Sequence, residues 1–180
     1  AMALVPLSGT EQHPLALEHL LVADVHNDTL GRLDAVMVLR PDLLTESVWQ
    51  RLREFAVVGG LVWIFVPPEG NTALWPQSMA QAFDLRWEIE LEPTSSGPEA
   101  WELNGAASVP NPLGVLSADW ESLLRPVRVY QRLAVSTAHT QRWIGLANDG
   151  GSDSLLAVER VGDGVVLMLN SALDQQWTNL

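Results

Sequence analysis

The sequence contains no cysteine and no lysine, so its ten basic residues are all arginines. Without cysteine, thiol nucleophiles, disulfides and thiolate metal sites are excluded. Without lysine, Schiff-base catalysis and a P-loop lysine for phosphate are excluded as well. These two absences remove several large classes of enzyme before any motif is considered.

Charge and long apolar runs are also scarce. Charged residues make up 18% of the 180 residues, and the acidic excess gives a formal net charge of −12. Such a field repels phosphate backbones, so no nucleic-acid partner is expected. The apolar run at residues 61–66 is far shorter than the ~20 residues of a membrane span, so no direct membrane insertion is expected. The hydrophobic content of 47% predicts a globular chain with a core, and no motif calls for a cofactor.

Residues 33–66 form the clearest structural unit. An apolar run at residues 33–39 ends at Arg40-Pro41, which predicts a buried strand. Thr45 is a candidate helix N-cap, and Gly59-Gly60 can end the helix in a left-handed conformation. Residues 61–66 are again continuously apolar, so the pattern predicts a βαβ unit with parallel strands. Between the caps, apolar residues recur at helical spacing: Val48, Leu52, Phe55 and Ala56.

The flanking segments extend this alternation less clearly. Upstream we predict a strand at residues 3–7, a helix from Ser8 to Leu21 and a strand at residues 22–26. Residues 67–126 form an irregular segment rich in proline and tryptophan, with an alternating strand near residues 87–92 and a short helix at 117–124. Strands are expected at residues 127–135 and 142–147. A hairpin with strands 155–161 and 165–169 closes the chain around a Gly-Asp-Gly turn.

Two of these segments resemble a known family. The run at residues 33–65 resembles the class I glutamine amidotransferase-like fold. The tail at residues 154–180, with Glu159-Arg160 before the turn and Asp174 and Trp177 after it, is similar to the C-terminal part of bacterial aerotolerance-regulator (Bat-type) membrane proteins. The resemblance implies one domain over residues 1–180. It implies the α/β class as a flavodoxin-like three-layer sandwich, with a mainly parallel sheet and a C-terminal β-hairpin.

The same resemblance argues against catalysis. Amidotransferases carry a cysteine in the turn after the strand that corresponds to residues 61–66, but here the turn reads Val66-Pro67-Pro68-Glu69. Proline also lacks the N–H group that an oxyanion hole requires. The expected function is a non-enzymatic one, protein interaction or ligand binding. The implied partners are other domains of a membrane-anchored parent or partner membrane proteins, on the extracytoplasmic side.

A ligand pocket, if present, is expected at the carboxyl ends of the parallel strands, where open α/β sheets bind ligands. The predicted lining is Asp24, His26, Arg40, Pro67, Glu69 and Asn71.

A metal-dependent hydrolase is the alternative function. On a strand, Asp24, His26 and Asp28 would share one face, and carboxylate with imidazole suits a divalent metal. The string is also similar to the metal-binding start of membrane dipeptidases, which are much longer barrel enzymes. The competing interpretation is a strand that runs into a polar turn. Glu159 and Arg160 are further expected to pair across the hairpin, with Asp174 capping a turn and Trp177 packing on the sheet edge.

Overall fold

The computed structural model describes residues 16–69, 72–97, 99–104, 119–136, 141–146 and 154–180. The predicted strand at residues 3–7, most of the predicted helix from Ser8, and Asn71 lie outside these ranges. Residues 16–21 have no regular structure, so the predicted helix does not reach Leu21. The predicted strand at residues 22–26 is wrong: a 3₁₀ turn, Val22–Asp24, is followed by the short helix α1, Asn27–Leu30. Aspartate and asparagine favour such local turns over a strand ladder.

The predicted βαβ unit is confirmed, but its first strand is not buried as predicted, since Val38 is the one buried residue of the strand. Strand β1 (Ala35–Val38) leads through a 3₁₀ turn (Pro41–Leu43) to helix α2 (Glu46–Val57) and strand β2 (Leu61–Phe65). The two strands are parallel. Thr45 is the N-cap residue, but its hydroxyl lies 3.0 Å from Ser47 Oγ and makes no capping bond to the backbone. Gly59, with φ of 110°, turns the chain out of the helix as predicted.

The rest of the described chain is built from short elements. The predicted strand at residues 127–135 is broken into three, because each piece pairs with a different strand. No described helix has the length and hydropathy needed to cross a bilayer. The remaining elements are α3 (Trp75–Phe83), β3 (Glu88–Ile89), β4 (Thr94–Ser95), β5 (Trp101–Asn104), α4 (Trp120–Leu124), β6 (Arg128–Val129), β7 (Gln131–Arg132), β8 (Val135–Ser136), β9 (Gln141–Leu146), β10 (Ser154–Val161) and β11 (Gly164–Leu169).

Seven strands form one mixed sheet in the order β1-β2-β11-β10-β9-β5-β6. The pairs β1–β2 and β2–β11 are parallel, whereas the other four neighbouring pairs are antiparallel. The coarse α/β class and the C-terminal hairpin are therefore confirmed, but the sheet is not mainly parallel. The physical reason is that the hairpin places β11 beside β2, so β10 and the strands after it continue the sheet in antiparallel fashion.

The two faces of this sheet differ in what covers them. Helices α2 and α3 pack on one face, where Trp49, Leu52 and Met79 are almost fully buried against Ile64 and Met168. The other face carries a second apolar cluster that includes no residue of a described helix. The flavodoxin-like three-layer sandwich is therefore not confirmed in the part of the chain that the structure describes.

The hairpin turn is docked on the C-terminal end of α2. The backbone N–H of Asp163 donates to Val57 O (3.1 Å), and the N–H of Val165 donates to Gly60 O (3.3 Å). Gly162 has φ of 64°, and a Cβ there would lie 2.5 Å from Val57 O. Only glycine therefore allows the turn to approach the helix closely enough to donate to the carbonyl of its last residue, Val57.

Replacing Gly162 with alanine should destabilise the fold through this contact. We expect Gly162→Ala to lower the free energy of unfolding by about 1–3 kcal/mol more than Gly97→Ala does, in urea denaturation. Gly97 is the matched control, because it also has a positive φ (80°) but no atom within 4 Å of the added Cβ. Equal losses in the two variants would contradict the docking of the turn.

Candidate functional site

The carboxyl ends of β1 and β2 hold three of the predicted site residues. Arg40 makes two hydrogen bonds to Asp42, Nε to Oδ1 at 2.9 Å and Nη2 to Oδ2 at 2.8 Å. This pairing lowers the pKa of Asp42 and raises the pKa of Arg40, and the charge of Glu69 adds to the rise. Pro67 follows β2 and is buried. The structure thus brings Arg40 and Glu69 within electrostatic range, with Arg40 already engaged by Asp42.

Asp24 and His26 belong to a segment that packs against helix α2. Their segment is held against α2 by Arg51, whose Nη1 donates to Val25 O (2.8 Å), and by Asn27, whose Nδ2 donates to Glu54 Oε2 (3.1 Å). No described contact joins Asp24 or His26 to Arg40 or Glu69. Asn71, outside the described ranges, is not placed.

The alternative metal site is not assembled. Across the described ranges, no group of three histidine, cysteine, aspartate or glutamate side chains is arranged to hold a metal ion. Asp24, His26 and Asp28 fall on a 3₁₀ turn, a helix N-cap and a helix, so the alternation of a strand does not bring them to one face.

A polar recess of about 450 Å³ lies at the β5–β6 end of the sheet. Glu102 and Arg128 face each other in the antiparallel register, and Arg128 Nη2 lies 3.1 Å from Glu102 Oε1. Arg128 Nη1 also donates to the backbone oxygens of Arg125 and Val127, at 2.6 and 3.0 Å. Glu99 and Ala100 complete the lining. The guanidinium thus contacts three oxygen atoms of the chain.

The C-terminal segment fixes the backbone of Arg128. The Arg128 N–H donates to Asn179 Oδ1 (2.6 Å), and its carbonyl accepts from Thr178 Oγ1 (3.0 Å) and from the Asn179 N–H (3.1 Å). A β-bridge joins Val129 to Thr178 next to these contacts. The last residues therefore act as a strap along the outer side of β6.

The strap begins at a turn that the sequence identified correctly. Asp174 Oδ1 accepts a hydrogen bond from the Gln176 N–H (2.8 Å), which is the predicted capping role. Trp177 is buried, and its carbonyl accepts the N–H groups of Tyr130 and Gln131. Both residues therefore organise the end of the sheet that carries the recess.

A second arginine lies close to the recess but on another face of β5. The guanidinium carbon of Arg132 is 4.9 Å from the centroid of the Trp101 ring, and Arg132 is only 3% exposed. Successive strand residues point to opposite faces, so Trp101 packs inward while Glu102 faces the recess. The sequence analysis missed Glu99, Glu102 and Arg128, because nothing in the local sequence indicates that β5 and β6 pair in this register.

Glu159 is an unusual carboxylate on the core side of β10. Its Oε2 atom is buried and makes no hydrogen bond to any residue that the structure describes. Burial raises the pKa of Glu159 and the charge of Asp84 adds to the rise, whereas the backbone N–H and the charge of Arg86 oppose it. The predicted pairing with Arg160 is wrong, since the two side chains leave the strand on opposite faces and no described ion pair joins them.

Comparison with known proteins identifies similar folds only among solved structures. No protein-family model matches the chain, and no curated protein matches it either. A β-galactosidase from Rahnella sp. R3 matches with 17% identity and a TM-score of 0.56, over 80% of this chain and 21% of that one. Gan42B, a GH42 β-galactosidase, matches with 13% identity and a TM-score of 0.53, over 82% and 20%. The cytoplasmic protein STM1381 from Salmonella typhimurium LT2 matches with 11% identity and a TM-score of 0.61, over 85% and 66%.

These matches show a shared fold, and this chain spans only about a fifth of the length of the β-galactosidases. They overturn the resemblance to amidotransferase-like domains of Bat-type membrane proteins, because the matching structures are β-galactosidases and Salmonella cytoplasmic proteins. The prediction of a non-enzymatic interaction domain rested on that resemblance, and these matches overturn it as well. The missing cysteine argued only against amidotransferase chemistry, and the neighbours include glycoside hydrolases. The extracytoplasmic location rested on the same resemblance and has no support in these matches.

Removing the buried charge of Glu159 should stabilise the protein in a pH-dependent way. A carboxyl whose pKa is raised by folding lowers the stability progressively as the pH rises from its unfolded pKa to its folded pKa, and this cost is absent where both states are protonated. We therefore expect Glu159→Gln to unfold at a higher temperature than the wild type at pH 7 to 8.

The gain should disappear as the pH falls below the ordinary pKa of glutamate, 4.5. Thermal unfolding followed by circular dichroism across this range measures the effect. Glu88→Gln, at an exposed position on β3, controls for the loss of one negative charge from an acidic chain. A gain of the same size at every pH would contradict the interpretation.

Proposed function

We propose that this chain binds a neutral carbohydrate in the recess between β5 and β6, as part of a glycoside-hydrolase-related protein. The observation that carries this proposal is the Glu102–Arg128 pair, which is oriented by the backbone of Arg125 and Val127 and opens onto a recess of about 450 Å³. The recess is open and polar, so a ligand there would be held by hydrogen bonds at the surface.

The chemistry of the recess suits hydroxyl groups. The guanidinium of Arg128 only donates hydrogen bonds and the carboxylate of Glu102 only accepts them, whereas a sugar hydroxyl does both. Neighbouring hydroxyls on a sugar ring can therefore bond to both side chains at once through charge-assisted hydrogen bonds. Glu99 adds a further acceptor at the rim of the recess.

The charge of the chain selects a neutral ligand over an anionic one. With a formal net charge of −12, the molecule repels phosphates and nucleotides at long range. Entering this negative field costs a neutral polyhydroxyl compound less free energy than it costs a phosphate.

The fold likeness suggests which carbohydrate to test first. Because the matching enzymes are β-galactosidases, galactose and lactose are the probes of choice. The chain matches only about a fifth of such an enzyme. We therefore take the likeness to concern one part of a larger protein, and we propose that this part binds sugar. Hydrolysis is a separate question and needs its own readout.

Calorimetric titration with lactose and galactose tests the proposal. We expect saturable binding by the wild type and at least about tenfold weaker binding by Glu102→Gln, which loses the charge-assisted acceptor and the partner of Arg128. Glu46→Gln, exposed at the start of α2 near the other end of the sheet, should bind like the wild type. Release of nitrophenol from a nitrophenyl β-galactoside reports any hydrolysis by the same samples.

The proposal fails if the wild type binds neither sugar, or if Glu102→Gln and Glu46→Gln bind equally well. Circular dichroism of each variant confirms that a loss of binding does not come from unfolding.

A further inference from the structure

Strand β1 is at the opposite end of the sheet from the recess. It pairs with β2 on one side, and no strand of the described ranges pairs with it on the other. Two large apolar side chains on or beside this strand, Met37 and Leu39, are each 55% exposed. Among the described strands β1 is therefore at the edge of the sheet, and an edge strand presents backbone groups to any second strand that fits it.

The charges around β1 are arranged symmetrically about Met37. Asp34 precedes Met37 by three residues and Arg40 follows it by three, and both are exposed. In an antiparallel pairing of two copies centred on Met37, each Asp34 lies opposite Arg40 of the other copy. Val36 then lies opposite Val38, and Met37 meets its own equivalent. A parallel pairing would instead place like charges side by side, which is unfavourable.

We propose that the β1 edge joins two copies of this chain by antiparallel strand pairing across a two-fold axis. Natural edge strands are commonly protected from pairing by charged residues. Here Asp34 and Arg40 attract a second copy in the antiparallel register centred on Met37. These charges therefore favour the pairing and do not prevent it. The interface is isologous, as in most homodimers.

The side chains on each face of β1 support the same arrangement. Residues 35, 37 and 39 alternate with the inward-facing Val36 and Val38, so Ala35, Met37 and Leu39 share the face that the helices do not cover. The pairing would set Ala35 of each copy opposite Leu39 of the other and bury a continuous apolar row. Arg40 keeps 57% of its side chain exposed despite its bonds to Asp42, so it remains accessible to a second carboxylate.

Sedimentation velocity over a concentration series tests the dimer. The wild type should approach twice the chain mass of 19.7 kDa as its concentration rises. Asp34→Arg and Arg40→Asp should each remain monomeric at the same concentrations, because each places like charges opposite one another. An equimolar mixture of the two variants should dimerise again, because every pair across the axis is then of opposite charge.

The mixing experiment separates the proposal from a folding defect. Arg40→Asp also loses the bonds to Asp42, but a misfolded variant would not regain dimerisation on mixing. Arg53→Asp, an equal charge change at an exposed position on α2, should dimerise like the wild type. A monomeric wild type, a dimer unaffected by either variant, or a mixture that stays monomeric would each overturn the proposal. Sugar binding at the β5–β6 recess is measured in a separate experiment, and its outcome does not affect the dimer proposal.

Discussion

The contact between the β10–β11 turn and the end of helix α2 holds the two halves of the chain together. A helix leaves its last carbonyl groups without partners, and here Val57 O accepts the N–H of Asp163. Gly162 permits this approach because a side chain at its position would collide with the helix backbone. Once the turn is docked, β11 lies beside β2, and a hairpin from the end of the chain completes a sheet begun by the βαβ unit.

The recess depends on this sheet through the segment that follows β11. Ser171 Oγ donates to Gln131 O (2.8 Å), and the turn at Asp174 brings Trp177 and Thr178 back along β6. The strap then holds the backbone of Arg128, whose guanidinium meets Glu102 from β5. A pair of surface charges normally contributes little to stability. The Glu102–Arg128 pair matters here because it places two charged groups at the recess, where the surrounding backbone holds the arginine.

The two ends of the sheet offer different kinds of surface. The β5–β6 end presents charged and hydrogen-bonding groups, whereas the β1 end presents Met37 and Leu39 between charges of opposite sign. The earlier resemblance to amidotransferase-like domains could not distinguish such features, because a strand, a helix and a strand with short links occur in many α/β folds. What separates these folds is the order in which distant strands join the sheet, and that order is mixed here.

The sequence by itself determined the elements whose cause is local. Apolar periodicity and glycine stops predicted the positions of β1, α2, β2 and the hairpin correctly, although β1 is partly exposed and not buried as predicted, and Asp174 was recognised as a capping residue. Local signals were wrong at residues 22–26, where polar side chains favour turns over a strand. The tertiary structure alone decided the strand order, the division of residues 127–135 into three strands and the meeting of Glu102 with Arg128. These depend on pairing between segments far apart in the chain, and periodicity within one segment carries no information about its partner.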